Sequence, residues 1–184
     1  MDDNLGRALL ARARNAIAAQ FGHLAADEPD DPALGEPGAT FVTLTQDGDL
    51  RGCIGSLEAR RPLDEDVRAN ARAAAFGDPR FPPLGLAEFD RTRVEVSLLA
   101  PARPISFASE DDAVRQLRPG VDGVILEWQG RRGTFLPQVW ESLPEPRLFL
   151  NLLKQKAGLQ AGFWAPDIKL YRYEVRKWKE AAKS

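Results

Sequence analysis

The stretch 41–55, FVTLTQDGDLRGCIG, decides how the chain is read. Phe41, Val42, Thr43 and Leu44, with Ala39 before them, form a strand-like run that leads to Asp47-Gly48, and Leu50-Arg51-Gly52-Cys53-Ile54-Gly55 follows at once. Asp-Gly between two such runs marks a tight hairpin, because glycine accepts the positive φ that the turn demands. A hairpin means antiparallel pairing. A two-residue turn at 47–48 places Leu44 opposite Arg51 and Val42 opposite Cys53, which sets the thiol among apolar cross-strand neighbours. A slip of one residue would turn Cys53 to the other face, beside Thr43 and Thr45.

Outward from the hairpin, the pattern alternates between helix and strand. Leu5, Leu9, Ala13, Ala16 and Ile17 recur at helical spacing, predicting an amphipathic helix over 4–22 whose arginines face water. Residues 26–38, ADEPDDPALGEPG, read as an acidic surface loop. Pro62 followed by Leu63 and three acids opens a second helix that should stop near Gly77. The prolines at 79, 82 and 83 make 78–84 a rigid, irregular loop. Residues 92–100 form a strand with Val94, Val96 and Leu98 on one side and Glu95, Ser97 and Leu99 on the other.

Ser109, followed by three acids, caps a short helix to Leu117. A second hairpin spans 123–128 and 133–136, turning near Gln129-Gly130. Helices over 137–143 and 147–157 and a final strand over 168–178 complete the chain. Strands that come mostly as hairpins, with helices packed on them, define an α+β fold with a mainly antiparallel sheet of about five or more strands.

The chain has 184 residues, 43% of them hydrophobic and 28% charged, with a formal net charge of −2. This length suits a single domain able to bury its own core, and the charge balance disfavours nucleic-acid binding. One cysteine forms no internal disulfide and cannot hold a zinc ribbon or an iron–sulfur cluster, so neither metal nor cofactor is implied. The N-terminal segment lacks an apolar signal core and no run of about 18 apolar residues occurs, so a cytoplasmic protein without a membrane association is expected.

Four stretches, LRGCIG at 50–55, AAFGDPRFPPL at 74–84, VEVSLL at 94–99 and GTFLPQVW at 133–140, carry a resemblance to a known family. A weaker fifth is KAGL at 156–159, followed by Trp164. In order and spacing they resemble the AMME chromosomal region protein family, whose microbial members are called AmmeMemoRadiSam system protein A. The resemblance implies an antiparallel sheet of about five strands in a larger α+β subdomain, with a small helical subdomain assigned to about 60–90 plus 137–165. It also implies a Memo-type protein and a radical-SAM protein as partners. It supplies no reaction.

Cys53 is the first candidate for chemistry, as a nucleophile whose thiolate Arg51 would stabilise, with Gly52 allowing close approach of a substrate. The competing reading is a small buried hydrophobe. Glu95, on a strand face with Ser97, is the candidate acid–base group, against a carboxylate paired with Arg93 or Arg80. Arg80 and Phe81 stand on the rigid loop, where an arginine could hold an anion and the ring could equally plug the core. Asn70 falls on the apolar side of its helix, either as a satisfied buried amide or as a polar group in a cleft. Thr134 lies at a strand-to-helix junction suited to an anion. His23 sits beside the acidic loop, where a solvated residue is the simpler reading.

Two functions remain in view. One is an accessory or catalytic component of a small modification pathway, acting on an unknown small molecule or peptide in a cleft lined by LRGCIG. The other is a non-catalytic protein- or peptide-binding module with Cys53 structural.

Overall fold

The structure, a computed structural model, describes residues 3–22 and 26–182; His23 lies outside the described residues. Its elements run α1 (Asn4–Ala18), β1 (Pro37–Gln46), β2 (Asp49–Gly55), β3 (Arg61–Pro62), α2 (Leu63–Phe76), α3 (Leu86–Phe89) and β4 (Arg93–Leu99). There follow β5 (Arg103–Pro104), α4 (Glu110–Gln116), β6 (Gly123–Trp128), β7 (Arg131–Phe135), α5 (Pro146–Lys156), β8 (Lys169–Tyr173) and β9 (Val175–Lys179). The fold is α+β with antiparallel sheets, as the hairpins predict, but the strands divide between two sheets. One runs β2-β1-β4-β9 with β3 paired to β1, and the other runs β5-β8-β6-β7.

The chain forms two compact units, 1–99 with 176–184, and 100–175. Residues 60–90 and 137–165, which the resemblance groups in one small subdomain, therefore belong to different units. The 137–165 stretch packs on the four-stranded sheet, where Trp140 stacks on Phe149 at 3.7 Å between ring centroids among Leu126, Leu150, Leu153 and Leu170. Residues 137–143, expected as an α-helix, form a 3-10 turn over Pro137–Glu141.

In the first unit, α1 and α2 cover one face of the five-stranded sheet, burying Leu9, Ile17, Val42, Leu44, Val67, Val94 and Val96. The α1 helix is capped by Asp3, whose carboxylate accepts from Gly6 N–H. Two of its arginines depart from the expected water-facing stripe. Arg12 is buried and donates to Asp64 and the Pro29 carbonyl, and Arg14 is buried against Glu180 and the Thr92 carbonyl. Long side chains with carboxylate and carbonyl partners can be buried where an amphipathic pattern alone would place them outside.

The acidic segment is tied down at several points: Glu28 pairs with Arg68, Asp31 caps the turn Pro32–Gly35, and Leu34 is buried. The final alternating run also differs from its reading. It breaks at Glu174, so β8 serves the second sheet and β9 joins β4 in the first, while the Glu174 carbonyl accepts from Ala100 N–H. Alternation over 168–178 reports two half-buried strands equally well whether or not they share a sheet.

The hairpin turns at Asp47 and Gly48, with φ of 51° and 87°. Gln46 pairs with Asp49 and Thr45 with Leu50, as a two-residue turn requires, but the register then shifts so that Leu44 faces Gly52 and Thr43 faces Cys53. Arg51 is the extra residue, a bulge that places it opposite no partner. The expected pairs of Leu44 with Arg51 and Val42 with Cys53 are thus replaced, and Cys53 moves to the face opposite Val42 and Leu44.

Candidate functional site

The bulge sets the geometry of the site. Beyond it, Cys53 lies in register with Thr43 on β1 and Glu95 on β4, and one rung along Gly55 lies in register with Phe41 and Ser97. These residues share the sheet face away from the Val42–Leu44–Val94–Val96 core. The Cys53 Sγ is 3.3 Å from the Thr43 hydroxyl, and the side chain is half-buried.

β2 is an edge strand, and its outward backbone groups at Cys53 are taken by the proline-rich loop. Cys53 N–H donates to Asp78 Oδ2 at 3.0 Å, and Arg80 Nη2 donates to the Cys53 carbonyl at 3.3 Å. Arg80 also grips Asp78 through Nε and Nη2, at 3.0 and 2.8 Å. The Asp78–Arg80 pair thereby stands where another strand would pair, and closes an edge that would otherwise present free donors and acceptors. Asp78 is buried, and its carboxyl is held well below the usual range, chiefly by the Arg80 hydrogen bonds and also by Cys53 and Arg80 N–H, against the opposing effect of burial.

Arg51 enters from the bulge beneath this loop. It is buried, with Nε 3.0 Å from Glu88 Oε1, and Nη2 donating to the Pro82 carbonyl at 2.8 Å and to Glu88 Oε2 at 3.2 Å. Its Nη1 is buried with no hydrogen-bond partner among the described residues. Glu88 is drawn down to about 2 by those hydrogen bonds and by Gly85 N–H. Both cations approach the Phe81 ring, with the Arg51 guanidinium 5.7 Å and that of Arg80 5.5 Å from its centroid. Gly52 packs on the backbone of α2, so closely that a Cβ would sit 2.2 Å from the Ala74 carbonyl oxygen.

Five of the residues singled out from sequence therefore come together: Arg51, Gly52, Cys53, Arg80 and Phe81. The others disperse. Glu95 stands two strands from Cys53, about 10 Å by the strand spacing, with Thr43 between them. Its oxygens pair with Lys177 at 3.3 Å and Lys179 at 3.1 Å, where an arginine partner was expected. Arg93 instead donates to the Glu180 carbonyl. Ser97 lies a rung further along.

Asn70 lies in the interior, donating to the Thr40 carbonyl at 3.0 Å, Ser56 Oγ at 3.1 Å and Asp66 Oδ2 at 3.0 Å. It is the satisfied amide of the two readings. Thr134 belongs to the second unit, where its hydroxyl meets the Val124 carbonyl and the Tyr173 hydroxyl, each at 3.0 Å. Lys156 donates to the Thr134 carbonyl at 2.8 Å.

Asp78 and Glu88 are the members of the cluster that sequence reasoning passes over. A signal for Asp78 was present: an acid two residues before Arg80, separated by a proline, is set to form a short-range ion pair. Glu88 carries no such mark, because its partner lies 37 residues away.

Chemically, the thiol is poised against ionisation. Burial pushes Cys53 up, Asp78 and Glu95 add to that, and the Thr43 hydrogen bond and the Arg80 charge offset it only in part. A thiolate nucleophile needs the reverse balance. The Cys53 backbone is taken by Asp78 and Arg80, and what the strip presents outward is the half-exposed Arg80 guanidinium, the Phe81 ring and the exposed side chains of Leu50 and Leu86.

These features define a class: two-unit α+β proteins with an LRGCIG-type edge strand closed by an Asp-Pro-Arg loop. The AMMECR1 family model matches residues 10–178, and the chain belongs to that family. Among its relatives, a Methanothermobacter thermautotrophicus protein is 39% identical over 95% of this chain and 94% of its own length, and one from Aeropyrum pernix is 38% identical over 98% and 80%. The crystal structure of an uncharacterised Pyrococcus horikoshii protein superposes with a TM-score of 0.88 at 34% identity, covering 100% of this chain and 95% of the other. No helix among the described residues is long and apolar enough to cross a membrane.

Proposed function

We propose that the protein is a non-catalytic protein- or peptide-binding component of a small modification pathway, with Memo-type and radical-SAM proteins as its partners and Cys53 as a structural residue. One observation carries the choice of binding over catalysis. Burial raises the thiol, and the cation that reaches it, Arg80, is already engaged by Asp78 and the Cys53 carbonyl. The loop 78–84 then serves as a pre-ordered contact surface, since three prolines and the Asp78 bonds limit the entropy lost when a partner docks. Arg80 and Phe81 are its recognition residues.

The test has two arms. With iodoacetamide at neutral pH, Cys53 should label more slowly than free cysteine; faster labelling would return it to the role of nucleophile. When the protein is purified from its native host, wild type and Cys53→Ala should recover the same two partners, and Phe81→Ala should recover less of both. Recovery of neither by the wild type would remove the pathway assignment.

A further inference from the structure

The second unit contains a cavity of about 410 Å³ lined by Ala100, Pro101, Arg103, Arg118, Arg172, Tyr173 and Glu174. Three arginines line it. Arg103 and Arg172 are direct cross-strand partners on β5 and β8, and like charges placed opposite one another destabilise a sheet. Arg172 is held by bonds within the unit, whereas no ion pair among the described residues offsets this cost at the Arg103 side chain.

The local carboxylates do not balance this charge. Asp122, fully buried, is taken up by Arg118, which donates to it from the backbone at 2.9 Å and from Nη2 at 2.6 Å, and Arg172 reaches it only at 3.7 Å. Arg172 otherwise donates to the Gln116 carbonyl at 3.1 Å. Glu174 approaches Arg118 at 3.4 Å and is 64% exposed, which makes it a loosely held counterion. The Arg103 side chain has no ion pair or hydrogen bond among the described residues. With both carboxylates counted the cluster carries one excess positive charge, and with Glu174 swung out it carries two.

Planar guanidinium forks match the oxygen pairs of carboxylates and phosphates. The volume is near the lower bound of small-molecule pockets, which suits a metabolite-sized ligand. The Tyr173 hydroxyl is occupied by Thr134, so the residue supplies a ring wall, and Ala100 and Pro101 supply apolar contact.

We propose that this cavity is a binding site for a small-molecule dianion, a phosphate monoester or a short dicarboxylate, held between Arg103, Arg118 and Arg172, with Glu174 displaced on binding.

The test is calorimetric titration of the full chain at constant ionic strength with glycerol 3-phosphate and, separately, with succinate. Saturable 1:1 binding with a Kd below about 1 mM is expected for at least one of them; the tighter of the two assigns the chemistry. Arg103 is exposed, so Arg103→Gln should fold normally, and it should weaken binding about tenfold. Glu174→Gln should act in the opposite sense and tighten it several-fold. Absence of saturation by either dianion up to about 10 mM, or an Arg103→Gln variant that binds like wild type, would overturn the assignment.

Discussion

Gly52 lets β2 lie directly on α2, and replacing it by alanine tests how the LRGCIG strip is held. The added Cβ would sit 2.2 Å from the Ala74 carbonyl oxygen, where ordinary contact begins at 3.4 Å, so strand and helix must separate by about 1.2 Å. The obstacle is backbone, which cannot swing aside as a side chain would. Overpacking of this kind costs about 1–3 kcal/mol, and a rigid obstacle places Gly52→Ala at about 3 kcal/mol. For a chain of this size each kcal/mol lowers Tm by about 2–4 °C, giving a fall of about 6–12 °C by differential scanning calorimetry.

Two control glycines separate steric from conformational effects. Gly48 has open space around it but a φ of +87°, so its alanine variant should lose about 1–2 kcal/mol from backbone strain alone. Gly35 has neither constraint, and its variant should melt with wild type. A Gly52→Ala protein melting within about 1 °C of wild type, or above Gly48→Ala, would refute the close-approach reasoning.

Glu88 supplies a pH prediction. Its folded pKa, about 2, lies below the ordinary 4.5, so the pair with Arg51 stabilises the fold fully above pH 4.5, and that contribution is lost as pH falls toward 2. Glu88→Gln should cost about 2 kcal/mol at pH 7, less than the full shift implies because 28% of the side chain is exposed, and should flatten the loss of stability between pH 4.5 and 2 in urea titrations. A pH profile parallel to wild type would contradict it. Asn70→Ala removes one of the two donors to the Thr40 carbonyl, along with the bonds to Ser56 Oγ and Asp66, and should cost about 1–3 kcal/mol in chemical denaturation, while Asn70→Asp should cost more by placing a second carboxylate beside Asp66.

Much of the architecture is written in local sequence. The Asp47-Gly48 turn adopts the positive φ values that its residue types foretell, as Gly130 does in the second hairpin, Ser109 caps α4 by accepting from Asp112 N–H, and α2 begins just after Pro62. The alternation of Val94 and Val96 with Glu95 and Ser97 separates the two faces of β4 as written. Each of these is a decision between neighbours a few residues apart, where turn chemistry and periodicity are strong.

What sequence by itself determined, then, is most of the longer helices and strands, their antiparallel pairing and the family to which the chain belongs. The register of Cys53 was a tertiary decision. A single bulge at Arg51, stabilised by Glu88 and the Pro82 carbonyl from a distant loop, moves the thiol to the opposite face, and period-two alternation cannot announce an inserted residue. The break at Glu174 that sends β8 and β9 to different sheets is of the same kind. So is the gathering of Arg103, Arg118 and Arg172 around one cavity. These depend on contacts between segments far apart in the chain, and the physics of such contacts acts through space rather than along the sequence.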